Sequence, residues 1–187
     1  MSNPLLVLDL NGVLLDRRKR KLAGGQTLLG SWGGRFAYGR PYASEFVAWA
    51  ASMGWDVGLW TSAKRENAEP LARAALGVAY NRLRFVYAQE ECEIFRESIS
   101  EKQKPLFKKP LARLWREGLG CPRRTVLLDD GKEKICEGEE DNALICPAYD
   151  ARSPEADDAL APGGWARNAL SEIMAADDVR DRIVAAF

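Results

Sequence analysis

The stretch Leu5-Leu6-Val7-Leu8-Asp9-Leu10-Asn11-Gly12-Val13-Leu14 decides the fold. Four consecutive aliphatic residues predict a strand buried on both faces, as in a parallel sheet, and the polar residues begin where such a strand emerges. Asp9 then stands at the strand's C-terminal end, the edge at which open α/β sheets collect their ligands. A carboxylate placed there can attack phosphorus, bind a metal, do both, or merely cap the strand. Gly12 lets the backbone turn tightly beside it.

Outward from that strand, apolar runs and helical patterns alternate. The basic run at residues 17–21 and the glycine-studded stretch at 24–39 predict a solvated loop or the edge of a hairpin, with contact to phosphate groups, a nuclear-targeting or nucleic-acid patch, or an acidic partner as the other readings of the run. Arg40-Pro41 opens a helix with Phe46, Val47, Trp49, Ala50 and Met53 on its apolar face, and Gly54 ends it. Residues 55–60 predict a second buried strand that closes on Thr61 and Ser62, before a helix over 64–76. A third strand is expected over 84–88, then a short insertion holding Cys92 and residues 94–98. A helix follows Lys108, Lys109 and Pro110, with Leu111, Leu114 and Trp115 inward.

Residues 125–131 repeat the logic of the opening strand, with Asp129, Asp130 and Gly131 at its end. A last strand is expected over 142–146. Two short helices should finish the chain, one with Trp165, Leu170, Ile173 and Met174 inward, the other capped by Asp177 with Val179, Ile183, Val184 and Phe187 inward. Trp49, Trp60 and Trp115 are expected in the core rather than as base-stacking platforms. The succession predicts a three-layer α/β domain spanning residues 1–187, a parallel sheet covered on both faces.

Composition narrows the chemistry. The 187 residues suffice to bury roughly 70% of the unfolded chain's surface. Lys and Arg total 27, as do Asp and Glu, so no global field recruits nucleic acid. The chain has no histidine, which removes Ser-His-Asp and Cys-His nucleophiles and His-bearing zinc sites. Cys92, Cys121, Cys136 and Cys146 show no C-x-x-C spacing, and no secretory segment precedes the first strand. Four reduced thiols in an intracellular protein, nuclear or cytoplasmic, are expected, without a membrane span.

Four polar elements fall at strand or helix ends: Asp9 with Asn11, Thr61 with Ser62, Lys109, and Asp129 with Asp130. Were the strands adjacent, all would converge on one crevice, where the carboxylates would need a cation. Mg²⁺, a hard ion taking oxygen ligands, suits them. Thr61 and Lys109 could then hold phosphoryl oxygens.

These pieces resemble the haloacid dehalogenase superfamily, and within it the carboxy-terminal-domain phosphatases of the FCP and small-phosphatase type. Residues 9–14 are similar to its D-x-D-G-x-[LT] motif, Arg40 to Phe46 to the branch's Arg-Pro-x-x-x-x-Phe, and Thr61-Ser62-Ala63 to its Thr-Ala-Ser. Lys109 to Leu114 resembles its Lys-Asp-Leu segment, and Leu128 to Lys134 its Asp-[Asp/Asn]-Ser-Pro motif. The resemblance implies a Rossmann-like sheet with a small insertion and no large cap. It implies Asp9 as nucleophile and Mg²⁺ ligand, the Asn11 carbonyl as second ligand, Asp130 on the metal with Asp129 beside it, Thr61 and Ser62 on the phosphoryl group, and Lys109 both orienting Asp9 and binding phosphate. A phosphoprotein or similar exposed phosphoester is the implied substrate.

Two departures matter. Gly131 stands where the branch has Ser-Pro. Asn11 stands where its active members carry the acid that protonates the leaving oxygen, and a neutral amide has no proton to give, so ~10²–10⁴-fold of general acid-base help is forfeited. The resemblance is then compatible with a slowed phosphatase, with a pseudophosphatase that binds or assembles, or with a trapping substitution in an active enzyme.

Overall fold

A computed structural model describes residues 3–24, 26–96 and 105–185. The aliphatic run forms β1 (Leu5–Leu8), with all four side chains fully buried. β1 pairs in parallel with two strands, β5 (Asp56–Trp60) and β9 (Thr125–Asp129), with Leu8 opposite both Leu59 and Leu128. β6 (Leu83–Tyr87) extends the sheet beyond β5, and β10 (Ala143–Ile145) extends it beyond β9. The order β10-β9-β1-β5-β6 makes β1 the point where the strand order reverses, so its C-terminal end opens onto a crevice.

Successive β1 side chains point to opposite faces, and each face meets its own helices. Leu6 and Leu8 share a core with Phe46 and Val47 of α1 (Ala43–Ser52), Leu71 of α2 (Arg65–Leu76), Leu170 of α4 (Trp165–Met174) and Ile183 of α5 (Val179–Ala185). Leu5 and Val7 pack with Trp60, Leu127, and Leu111 and Leu114 of α3 (Leu111–Arg116). These are the three expected layers. Trp60 is fully buried, while Trp49 and Trp115 pack half-buried against the two cores.

The surface strands answer an expectation left open between loop and hairpin edge. The start of the basic run is an edge strand and joins the glycine-studded stretch in a three-stranded antiparallel sheet of β2 (Leu15–Arg18), β3 (Leu28–Trp32) and β4 (Arg35–Gly39), in the order β2-β4-β3, while Lys19 to Lys21 lie outside the strands. The expected insertion contains a second hairpin-like pair, β7 (Glu93–Arg96) with β8 (Leu106–Lys108), while its residues 97 and 98 lie outside the described ones. These additions are small, and no large cap is present among the described residues. Met53 and Trp165 are exposed rather than inward, because each stands at a helix terminus where the apolar face runs out.

The helix expected from Arg40 starts only at Ala43, since Tyr42 takes a left-handed backbone conformation at φ 64°. Asp178, not Asp177, caps α5, its Oδ1 accepting from the Arg180 N–H at 3.1 Å. The Val184 side chain and Phe187 lie outside what is described. Among the described residues, no helix is long and apolar enough to cross a membrane.

One glycine inside β5 is required by packing. A Cβ at Gly58 would lie 2.2 Å from the Phe85 ring. Gly58→Ala should therefore destabilise the fold by about 1–3 kcal/mol, the usual cost of overpacking, read as a lower urea midpoint at unchanged slope.

Candidate active site

β1, β9 and β5 end side by side, so the residues just past them share one edge of the sheet. The Asp9 N–H donates to Leu128 O at 2.9 Å, and Asp129 closes β9. Asp9, Asp129 and Asp130 each bring a carboxylate oxygen within 4.8 Å of the others. Asp9 and Asp129 are buried and Asp130 half-buried. Three ionised carboxylates in that volume repel one another and lose hydration, so the arrangement requires positive charge.

Two ammonium groups supply it. Lys109, fully buried, points Nζ at Asp9 Oδ1 (2.8 Å) and Asp129 Oδ2 (2.5 Å). Lys134 points Nζ at Asp9 Oδ2 (2.9 Å), Asp129 Oδ1 (2.8 Å) and Asp130 Oδ1 (2.6 Å). Burial opposes ionisation of Asp129, but Lys109 and Lys134 outweigh it and hold that carboxyl well below the usual range. Burial also opposes charge on both lysines, and the facing Asp9 and Asp129 nonetheless keep their pKa values above an ordinary lysine's. Asp130 moves the other way, pushed up by burial despite its contact with Lys134.

The local backbone aims these groups. Lys109 directly precedes Pro110 and α3, whose first amides, Leu111 N–H and Ala112 N–H, donate to the Glu139 carboxylate at 2.8 and 2.9 Å. The Lys109 N–H donates to Lys134 O at 2.9 Å, tying the two lysines together. Lys134 ends a single 3₁₀ turn, Lys132–Lys134, that follows Gly131, whose N–H donates to Asp129 Oδ1 at 3.0 Å.

Gly12 passes so close that a Cβ there would lie 2.1 Å from Asp130 Oδ2, and its φ of +97° suits glycine. Arg40 clamps that turn from behind: Nη1 donates to Val13 O at 3.1 Å and to Gly12 O at 3.3 Å. Its Nε and Nη2 hold both oxygens of Asp157 at 2.8 and 2.9 Å.

Beside the cluster, Asn11, Thr61 and Ser62 line a pocket of about 460 Å³ together with Arg17, Arg35 and Lys64. The Thr61 N–H donates to Tyr87 O at 2.9 Å, and Oγ1 accepts from the Ala63 N–H at 3.2 Å. Arg17 Nη2 donates to Trp32 O at 2.7 Å, while its buried Nε has no partner. Burial, and then the like charge of Arg35, lower the Arg17 pKa, and the residues lining this pocket include three cations, Arg17, Arg35 and Lys64, and no acid.

The structure thus gathers Asp9, Asp129, Asp130 and Lys109 into one ion-paired cluster, with Asn11, Thr61 and Ser62 on the adjoining pocket wall. Lys109 is engaged with two carboxylates. Lys134, Arg40 and Arg35 carried no site role in the sequence reading, and Arg17 carried one only within the basic run. Lys134 had a legible signal, standing four residues after Asp130 across a glycine turn.

The family model described as NLI interacting factor-like phosphatase matches residues 4–180. The chain belongs to that family. Its fold is that of the FCP branch of haloacid dehalogenase-like phosphatases. Fission yeast RNA polymerase II CTD phosphatase Fcp1, in a variant bound to beryllium fluoride, is 15% identical with a TM-score of 0.52, covering 79% of this chain and 42% of that one. A second structure, of Fcp1 described as an essential RNA polymerase II CTD phosphatase, is 14% identical with a TM-score of 0.52, covering 91% of this chain and 52% of the other. The NLI interacting factor-like chain therefore spans about half the length of these structures. No curated protein matches it.

Two outcomes test the geometry of this NLI interacting factor-like site. Gly12→Ala should cost about 1–2 kcal/mol in urea unfolding from its left-handed backbone alone, and more as Asp130 is displaced. The Cys92 thiol, near the Thr61 carbonyl at 3.8 Å, is pushed up to about 11 by burial. Its alkylation by iodoacetamide should stay slow at pH 8 and accelerate only as the pH approaches 11, followed by mass spectrometry of the Cys92 peptide.

Proposed function

We propose that this chain is a Mg²⁺-dependent aspartyl phosphatase-like protein that acts on a phosphoprotein or similar phosphoester, with turnover slowed by Asn11. The observation that carries this reading is Asp9 itself: a strand-end carboxylate in a charge-compensated cluster, beside a pocket walled by Arg17, Arg35 and Lys64. Such a wall favours a substrate bearing negative charge.

The donor set fits a hard divalent ion, since three carboxylate oxygens already converge on one cation, the Lys134 ammonium. Asp9, Asp129, Asp130 and the main-chain carbonyl of Asn11 would hold Mg²⁺, which when bound neutralises charge on the phosphoryl oxygens. Lys109 holds Asp9 Oδ1 and fixes the carboxylate's orientation. Thr61 and Ser62 supply hydroxyls to the phosphoryl oxygens from the end of β5.

In the reaction so read, Asp9 attacks phosphorus, the ester oxygen leaves, and water later releases phosphate from Asp9. The departing oxygen needs a proton that the Asn11 amide cannot supply. Phenolic esters, whose oxygen leaves readily as an anion, should suffer least, and serine esters most.

The alternative reading is a catalytically inactive pseudophosphatase that serves as a binding or assembly subunit. Two observations favour it: Asn11 in place of an acid, and ammonium groups on both oxygens of Asp9. Hydrolysis of p-nitrophenyl phosphate with Mg²⁺ separates the two. For the enzyme, Asp9→Asn abolishes turnover and Asn11→Asp raises it, less on this phenolic ester than on a serine ester, where the gain is about tenfold or more. No turnover even in Asn11→Asp, with the fold intact by circular dichroism, assigns the chain to the binding role.

A further inference from the structure

Lys134 makes a tripod. A lysine ammonium has three N–H donors, and here each meets a different carboxylate, Asp9, Asp129 and Asp130, at 2.6 to 2.9 Å. These are the same three residues whose oxygens converge to within 4.8 Å. A divalent ion such as Mg²⁺ takes oxygen ligands at about 2.0–2.1 Å and needs the centre of such a set. An ammonium bonded to an oxygen of each carboxylate and a metal ion on the same three oxygens would repel each other and compete for the same lone pairs.

We propose that Lys134 is a tethered counter-ion occupying the divalent-cation seat of this cluster, so that Mg²⁺ binds only by displacing it and binds more weakly for that reason. Lys134 can be displaced as Lys109 cannot. Lys109 is fully buried behind Asp9 and Asp129, whereas the Lys134 side chain is 17% exposed and sits on a single 3₁₀ turn after Gly131. Its withdrawal also releases Asp9 Oδ2, which it otherwise occupies. The same side chain thereby holds the metal-free carboxylates together, and delays the loading of the ion that replaces it. This rests on the metal-bearing reading of the cluster proposed above, and it makes turnover, if present, depend on competition between an internal and an external cation.

The test is isothermal titration calorimetry of the full chain with MgCl₂, on wild type, Lys134→Met and Lys134→Gln. Lys132→Met, which removes an exposed charge on the same turn, is the control. The inference expects both Lys134 variants to bind Mg²⁺ about tenfold or more tightly than wild type, with Lys132→Met unchanged. It also expects the Lys134 variants to melt earlier than wild type without metal and to regain stability with Mg²⁺, so a variant that folds only when metal is added supports it. Equal affinity in wild type and both Lys134 variants overturns the inference and leaves the metal-bearing cluster standing. An equal gain in Lys132→Met overturns it in favour of a general field effect. Absence of Mg²⁺ binding in every protein overturns the inference together with the metal-bearing reading.

Discussion

Mutual neutralisation of three carboxylates and two ammonium groups is the constraint on which this structure turns. A parallel sheet with β1 at its centre delivers Asp9 and Asp129 to neighbouring strand ends, and the β9 turn adds Asp130. Hydrophobic packing of β1 fixes where these groups stand but does nothing for their charge. Buried ion pairs rarely add net stability, yet removing one partner leaves an uncompensated charge at large cost. Much of the surrounding chain therefore serves the balance. Glu139 caps α3 behind Lys109, Gly12 leaves room for Asp130, and Arg40 fastens the Gly12 turn to Asp157.

What the sequence displayed and what it hid follow from the range of the forces involved. The buried strands were legible because β1 and β9 carry uninterrupted aliphatic runs, and the acids that follow them mark the sheet edge. That adjacency placed Asp9, Asp129, Asp130 and Lys109 together, as the order of the motifs implied. The outer sheet was legible only as one of two readings, a loop or a hairpin edge. β2 reads Leu-Asp-Arg-Arg and β3 contains glycine and serine, so neither carries an apolar strand pattern. β3 and β4 pair locally across Gly33 and Gly34, whereas β2 reaches β4 across the intervening chain, a contact invisible to local periodicity. The same cause hid Arg17 and Arg35 as pocket walls, since only that sheet brings them near Thr61. Arg40 was read through its neighbour Pro41 as the start of a helix, whereas its work is done by contacts with residues more than 25 positions away along the chain. Lys134 was missed for a different reason: its spacing from Asp130 was legible, but a lysine in a polar turn is ordinary, and its contacts with Asp9 and Asp129 come only from the fold.

Function divides along the same line. The family match and the sheet fix a phosphatase fold, and the pocket wall of Arg17, Arg35 and Lys64 gives an anionic group somewhere to go. In the reaction proposed for this fold, proton supply would be the weaker half, because Asn11 offers an amide where that reaction calls for an acid. In the proposed reading, binding of a phosphorylated group and its hydrolysis would depend on different residues: Thr61, Ser62 and the cationic wall for the first, Asp9 and position 11 for the second. A chain that keeps the first set and alters the second can retain recognition while losing rate.

The most direct measurement of the shared charge balance is a double-mutant cycle in equilibrium urea unfolding at neutral pH, using Lys109→Met, Asp129→Asn and the pair. Mutual compensation predicts that Lys109→Met alone costs about 3–5 kcal/mol, because it leaves Asp129 and Asp9 facing each other across one fewer cation. It further predicts that adding Asp129→Asn costs less than that substitution does in wild type, with a coupling of about 1 kcal/mol or more. Strictly additive losses would contradict it, and would mean that Lys109 and Asp129 are placed side by side without depending on each other.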